Sequence, residues 1–223
     1  MTIKEYFGDW LEHMDETQLE NYRKMIMKVA ASGIPVEPAP TKVFRCFRET
    51  DPHNIKAVIL GQDPYSDGSA TGLAFANNLN ETGIKKISPS LNVIIKSVIS
   101  LSDNPKNAIF DTTLESWANQ GILLLNSALT VRKGAVGSHL DAWKPFIERL
   151  LVSISANTNA CFLLFGKVAW EFKDCIFDNS RGVFMEYHPA YYARNNVPMP
   201  NTIWKNMIEY VQENFGTTLN LYE

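Results

Sequence analysis

The chain has 223 residues, 45% of them hydrophobic and 20% charged, with a formal net charge of −3. This composition is that of a soluble globular protein with a sizeable core, and it excludes a disordered chain or a strongly basic nucleic-acid binder. No apolar run approaches the ~20 residues that span a bilayer, and the start Met1-Thr2-Ile3-Lys4-Glu5 lacks the basic-then-apolar layout of a secretory signal.

Cys46, Cys161 and Cys175 are too few and too scattered for a disulfide framework or a zinc site, so they read as free thiols in a reducing compartment. The cytoplasm of a bacterium-like cell, a nucleus or a viral factory would each suit. Charge is unevenly spread. Residues 1–20 hold six carboxylates against Lys4, a net of −5, which leaves the remainder near +2. Lys85, Lys86, Arg132, Lys133, Lys167 and Arg194 all fall in or beside expected loops, a pattern compatible with phosphate contacts.

In chain order, residues 16–31 carry Leu19, Tyr22, Met25, Ile26 and Val29 at helical spacing, ending near Gly33 and Pro35. Residues 36–42 are expected to be extended. Four short apolar runs predict buried strands at 56–60, 122–125, 161–165 and 183–187. Helices are expected near 89–101, 112–119, 141–155, 168–174 and 201–214. Alternation of this kind predicts an α/β fold: one domain over 1–223, with a central four-stranded parallel sheet flanked by helices.

Each predicted strand runs directly into polar or Gly-containing sequence: Gln62-Asp63-Pro64-Tyr65, Asn126-Ser127, Gly166-Lys167 and His188-Pro189. In a parallel sheet these four exits share one edge, where open α/β folds keep their ligand crevices. A lone His or Asn at a strand end is commonly a turn residue. Here two amides, a carboxylate, a phenol and an imidazole converge, which marks a candidate site.

These segments carry a resemblance. Gly61-Gln62-Asp63-Pro64-Tyr65, Gly72-Leu73-Ala74-Phe75, Ser88-Pro89-Ser90-Leu91, the run Trp117 to Asn126, Leu129-Thr130-Val131, Gly137-Ser138-His139 and His188-Pro189 occur in this order. Together with Val43 to Phe47, they resemble family 1 uracil-DNA glycosylases from about Trp10 to the C-terminus. The resemblance implies a monofunctional hydrolase of base-excision repair, free of cofactor and metal, which flips uracil out of DNA and cuts its N-glycosidic bond. It implies Asp63 and His188 as the catalytic pair, the first positioning water and the second donating to uracil O2. Gln62, Tyr65, Phe75 and Asn126 would form the uracil pocket. Ser88, Pro89, Ser90, Ser138, His139, Gly166 and Lys167 would contact the DNA backbone.

The expected partner is uracil-containing DNA, single- or double-stranded, with a protein inhibitor or replication partner as a further possibility. The expected state is a monomer away from membranes. An alternative reading is a glycosylase-fold DNA-binding or replication accessory module with weak catalysis. Departures from the family pattern motivate that alternative. Ser66 stands where the family usually has His, and the loop to Phe75 is one residue shorter. After His188-Pro189 the chain reads Ala190-Tyr191-Tyr192-Ala193, not Ser-Pro-Leu-Ser. Tyr192 aligns with the leucine that wedges into the vacated base stack, so Tyr192 or Arg194 is expected to take that role.

Overall fold

A computed structural model describes residues 2–77, 87–177 and 182–223. Lys85 and Lys86 lie outside the described residues. The central sheet contains β2 (Ala57–Gly61), β3 (Ile122–Asn126), β5 (Cys161–Phe165) and β6 (Val183–Glu186), ordered β3-β2-β5-β6 and parallel throughout. Every residue of β2, β3 and β5 is buried. This accounts for their unbroken apolar composition, since a parallel strand covered on both faces has no polar side to display.

The register pairs Gly61 with Asn126 and Leu60 with Leu164, so the carboxyl ends of the strands finish level. From β2 the chain goes to β3 on one side, then crosses to β5 and β6 on the other. The reversal opens a crevice beside β2.

The helices are α1 (Ile3–Phe7), α2 (Glu16–Ala31), α3 (Arg45–Glu49), α4 (Pro89–Ile99), α5 (Glu115–Asn119), α6 (Leu140–Asn157), α7 (Lys167–Trp170), α8 (Pro189–Asn195) and α9 (Thr202–Phe215). α9 buries Ile203, Trp204, Met207 and Val211, a stripe at helical spacing, and packs on β5 and β6. One aromatic cluster joins Phe7, Trp10, Phe44, Phe47, Trp143 and Phe146. A second joins Phe75, Phe165, Trp204 and Trp117. Cys46 and Cys161 are buried free thiols and Cys175 is half-buried; burial pushes the first two up to about 12.

The structure differs from the sequence expectation in several segments. Residues 36–42 are not one extended run. Only β1 (Val36–Glu37) pairs, antiparallel to β4 (Val131–Arg132), and Pro40–Lys42 forms a 3-10 turn. The stretch 112–119 begins with a turn in which Asp111 accepts from the Thr113 and Ser116 amides, so its helix starts at Glu115. The stretch 168–174 is a four-residue helix followed by the 3-10 turn Lys173–Cys175. α8 replaces what reads in sequence as a loop. Pro189 sits at its first position, where the missing N–H costs nothing and the fixed φ suits a helix.

Candidate active site

Three of the four strand exits, at Gln62 to Tyr65, Asn126 and His188, line one cavity of about 400 Å3, whereas Gly166 and Lys167 do not line it. Gln62, Asp63, Tyr65, Phe75, Asn126 and His188 all line it, and Ser90 and Arg194 complete the sequence-predicted residues on its wall. β2 and β3 are stitched together at their ends. The Ser127 N–H and hydroxyl both donate to Gly61 O (2.9 and 2.8 Å), and Ala128 N–H donates to Gln62 O (3.0 Å). These bonds hold the Asn126 and Gln62 backbones in one fixed relation.

Asn126 is 9% exposed, and among the described residues its amide makes no hydrogen bond. The amide opens onto the cavity, where its donor and its acceptor are both available to a ligand. Gly61 stands directly behind it. A Cβ there would lie 2.6 Å from Asn126 Oδ1 and 3.3 Å from Phe75 Cζ, so only glycine lets the amide and the ring approach the strand.

Phe75 is buried and holds φ at +65°, a sparsely populated conformation for a non-glycine residue. Its ring meets Phe165 edge-on at 5.5 Å and lies 5.6 Å from the His188 ring. A hydrogen-bond chain fixes its backbone. Leu91 N–H donates to Ser88 Oγ (3.1 Å), the Ser88 hydroxyl donates to Tyr65 Oη (2.7 Å), and the Tyr65 hydroxyl donates to Phe75 O (3.1 Å). Burial pushes the Tyr65 phenol up to about 12. Tyr65 therefore stays a neutral donor.

Asp63 accepts the Gly137 N–H through Oδ2 at 2.5 Å. Burial raises its carboxyl above the usual value, and the Gly137 amide opposes that rise by favouring the charged form. The Gly137 contact was not foreseen. The Gly137-Ser138-His139 run stood out in sequence, yet nothing in it shows that its first amide reaches a strand exit.

His188 lies two residues beyond the end of β6 and caps α8, its Nδ1 accepting Ala190 N–H at 3.1 Å. A backbone amide can only donate, so Nδ1 must be the acceptor and the neutral ring carries its proton on Nε2. Burial, assisted by the Arg194 charge, lowers its pKa to about 4. The ring is consequently uncharged near neutral pH. Gly166 adopts φ +87°, and a Cβ there would meet His188 Cβ at 2.8 Å, so this glycine admits the imidazole beside β5.

The remaining predicted residues are placed less uniformly. Ser88 caps α4; its hydroxyl is engaged by Tyr65 and its N–H by Asn77 Oδ1 (2.9 Å). Pro89 opens α4 and borders a separate groove. Ser138 accepts Arg132 N–H at 2.9 Å. His139 pairs with Thr130 Oγ1 at 2.9 Å and lines an apolar cleft with Met25, Ile34 and Trp143, away from the main cavity. Lys167 is exposed at the start of α7.

Tyr192 is not placed as a wedge. It is 7% exposed, packs in the core, and donates its hydroxyl to Glu186 Oε1 at 2.5 Å, which raises its pKa further beyond the effect of burial. The cause is α8. A helix begun at Pro189 turns its fourth residue inward, and α8 packs on α4. Arg194 stays exposed at the cavity wall, and the exposed aromatic side chain of this helix is Tyr191.

Residues 47–212 match the family model for the uracil DNA glycosylase superfamily. A uracil-DNA glycosylase of Borrelia duttonii is 37% identical over 190 residues, covering 82% of this chain and 81% of that protein. One from equine herpesvirus 2 is 36% identical over 186 residues, covering 82% and 69%. Among solved structures, mimivirus uracil-DNA glycosylase superposes with a TM-score of 0.80 at 21% identity, covering 99% of this chain and 88% of that one. A mimivirus UNG variant in complex with UGI gives 0.74 at 22% identity, covering 96% and 85%. These two likenesses concern the fold.

Proposed function

The chain belongs to the uracil DNA glycosylase superfamily, and on that premise we propose that it hydrolyses the N-glycosidic bond of deoxyuridine in DNA, releasing uracil and leaving an abasic site. The observation that carries this reading is the meeting, in one cavity with the Phe75 ring, of the Asn126 amide, a neutral imidazole with its proton on Nε2, and a half-buried carboxylate. Uracil leaves as an anion while the sugar gains cationic character, so the reaction needs hydrogen-bond donors at the base and negative charge near the sugar.

In this reading His188 donates from Nε2 to uracil O2 as charge gathers there, and a neutral donor of fixed orientation meets that need. The Gln62 backbone N–H assists. Asp63 faces the sugar and orients the water that attacks C1′ from the side opposite the base. The water oxygen bonds to C1′, its proton passes to Asp63, and the departing pyrimidine takes up a proton from solvent.

Asn126 pairs with N3–H and O4, and cytosine reverses that donor and acceptor order. Tyr65 fills the space at C5, where thymine carries its methyl group. Phe75 stacks on the extruded base. Arg194, Ser90 and Lys167 serve the DNA backbone, which calls for charge and hydrogen bonding without sequence information.

The test is incubation with oligonucleotides holding one uracil, scored for free uracil and for alkali-labile strand breaks. Both products are expected without added metal. A protein that binds such DNA and releases no uracil would instead be the binding module.

A further inference from the structure

Two exposed tyrosines flank His188 in the chain and face each other in space. The Tyr187 and Tyr191 rings stack with centroids 4.9 Å apart and planes 28° apart, yet they remain 48% and 42% exposed. Beneath Tyr187 lies Trp170 at 5.4 Å, anchored by Nε1–H bonds to Leu164 O (3.1 Å) and Glu186 O (3.2 Å). Tyr192 meets Tyr191 edge-on at 5.3 Å and is itself latched to Glu186. The backbone is equally constrained. Tyr187 N–H donates to Glu186 Oε1 (2.7 Å), and Tyr191 N–H donates to His188 O (2.7 Å).

We propose that this ledge seats an unpaired nucleobase adjacent to the one held in the cavity, giving the protein a binding subsite for single-stranded DNA. The proposal rests on the glycosylase reading for its choice of occupant. Three features favour a base over any other apolar partner. His188, which lines the cavity, follows Tyr187 directly in the chain and accepts the Tyr191 N–H through its carbonyl, so both tyrosines are tied to a cavity residue. The exposed cations Arg194 and Lys167 lie in α8 and α7, the helices that hold Tyr191 and Trp170. The rings are already ordered by their own packing, so a base stacks without immobilising them. Such stacking ignores base identity, because every base has a π-face.

The test uses uracil-free single strands, with 2-aminopurine as the reporter base at successive positions. Tyr191→Ala and Tyr187→Ala are expected to weaken binding roughly tenfold or more. The slope of affinity against salt should be unchanged, since no charge is removed. Quenching of 2-aminopurine should be lost in these variants and restored in Tyr191→Phe. Melting temperatures of all three variants establish that the fold persists. Wild-type affinity and wild-type quenching in both alanine variants would overturn the ledge. The readout needs no cleavage, so failure of the ledge and failure of the catalytic reading are told apart.

Discussion

Gly61→Ala adds a single carbon behind the candidate pocket, where Asn126 and Phe75 already crowd the strand. The new Cβ would fall 2.6 Å from Asn126 Oδ1, whereas ordinary contact begins near 3.4 Å, so the amide must retreat by about 0.8 Å. The Phe75 ring, at 3.3 Å, needs to give far less. Overpacking of this kind costs about 1–3 kcal/mol, or a melting temperature lower by roughly 2–12 °C in a chain of this size. The effect on chemistry is expected to be larger. Displacing a positioning group by about 1 Å costs on the order of 100-fold in rate, and an amide that has moved pairs poorly with N3–H and O4. Single-turnover cleavage of a uracil oligonucleotide at saturating enzyme, beside a thermal melt, separates the two effects. Wild-type cleavage by a folded Gly61→Ala protein would refute the placement of Asn126 as the pairing group.

His188 is predicted to show no titration near 6.5 in imidazole NMR and to display the Nε2–H tautomer, because its pKa is lowered to about 4. Between those values the unfolded chain binds the extra proton, so this group's stabilising contribution is complete above 6.5 and shrinks as pH falls toward 4. The melting temperature of His188→Gln should therefore fall less steeply over that window. Tyr65→Phe retains the ring at C5 but removes the hydroxyl bond to Phe75 O, at a cost of about 1 kcal/mol. Its exclusion of thymine should be unchanged, and thymine release by this variant would contradict the steric role. Tyr192→Ala should lower stability by about 3 kcal/mol as a core truncation, with equal consequences on single-stranded and duplex substrate. A duplex-selective loss at unchanged melting temperature would restore it as the wedge.

Much of this architecture was legible in the chain. β2, β3 and β5 are fully buried, so their apolar runs announce both position and parallel pairing, and their polar exits then locate the crevice. Gln62, Asp63, Tyr65, Phe75, Asn126 and His188 meet there because register brings the strand ends level, a consequence of topology that sequence order alone can suggest. The segment after His188 was the least legible. His-Pro reads as a turn, and only the continuation of helical φ/ψ through Asn195 turns Tyr192 inward and leaves Tyr191 outside. The Gly137–Asp63 bond and the Ser88–Tyr65–Phe75 chain were likewise hidden. They join segments distant in sequence, through groups that carry no periodic signal.

In the proposed reaction Asp63 acts on water at a pocket selective for uracil. The most direct test is single-turnover cleavage of matched oligonucleotides containing uracil, thymine or cytosine, single- and double-stranded, by wild type and Asp63→Asn, with binding measured alongside. Wild type is expected to cleave uracil alone, and the variant to be slower by about 10²- to 10⁴-fold with binding retained. Comparable cleavage of thymine or cytosine, or an Asp63→Asn protein that cuts uracil at the wild-type rate, would contradict it.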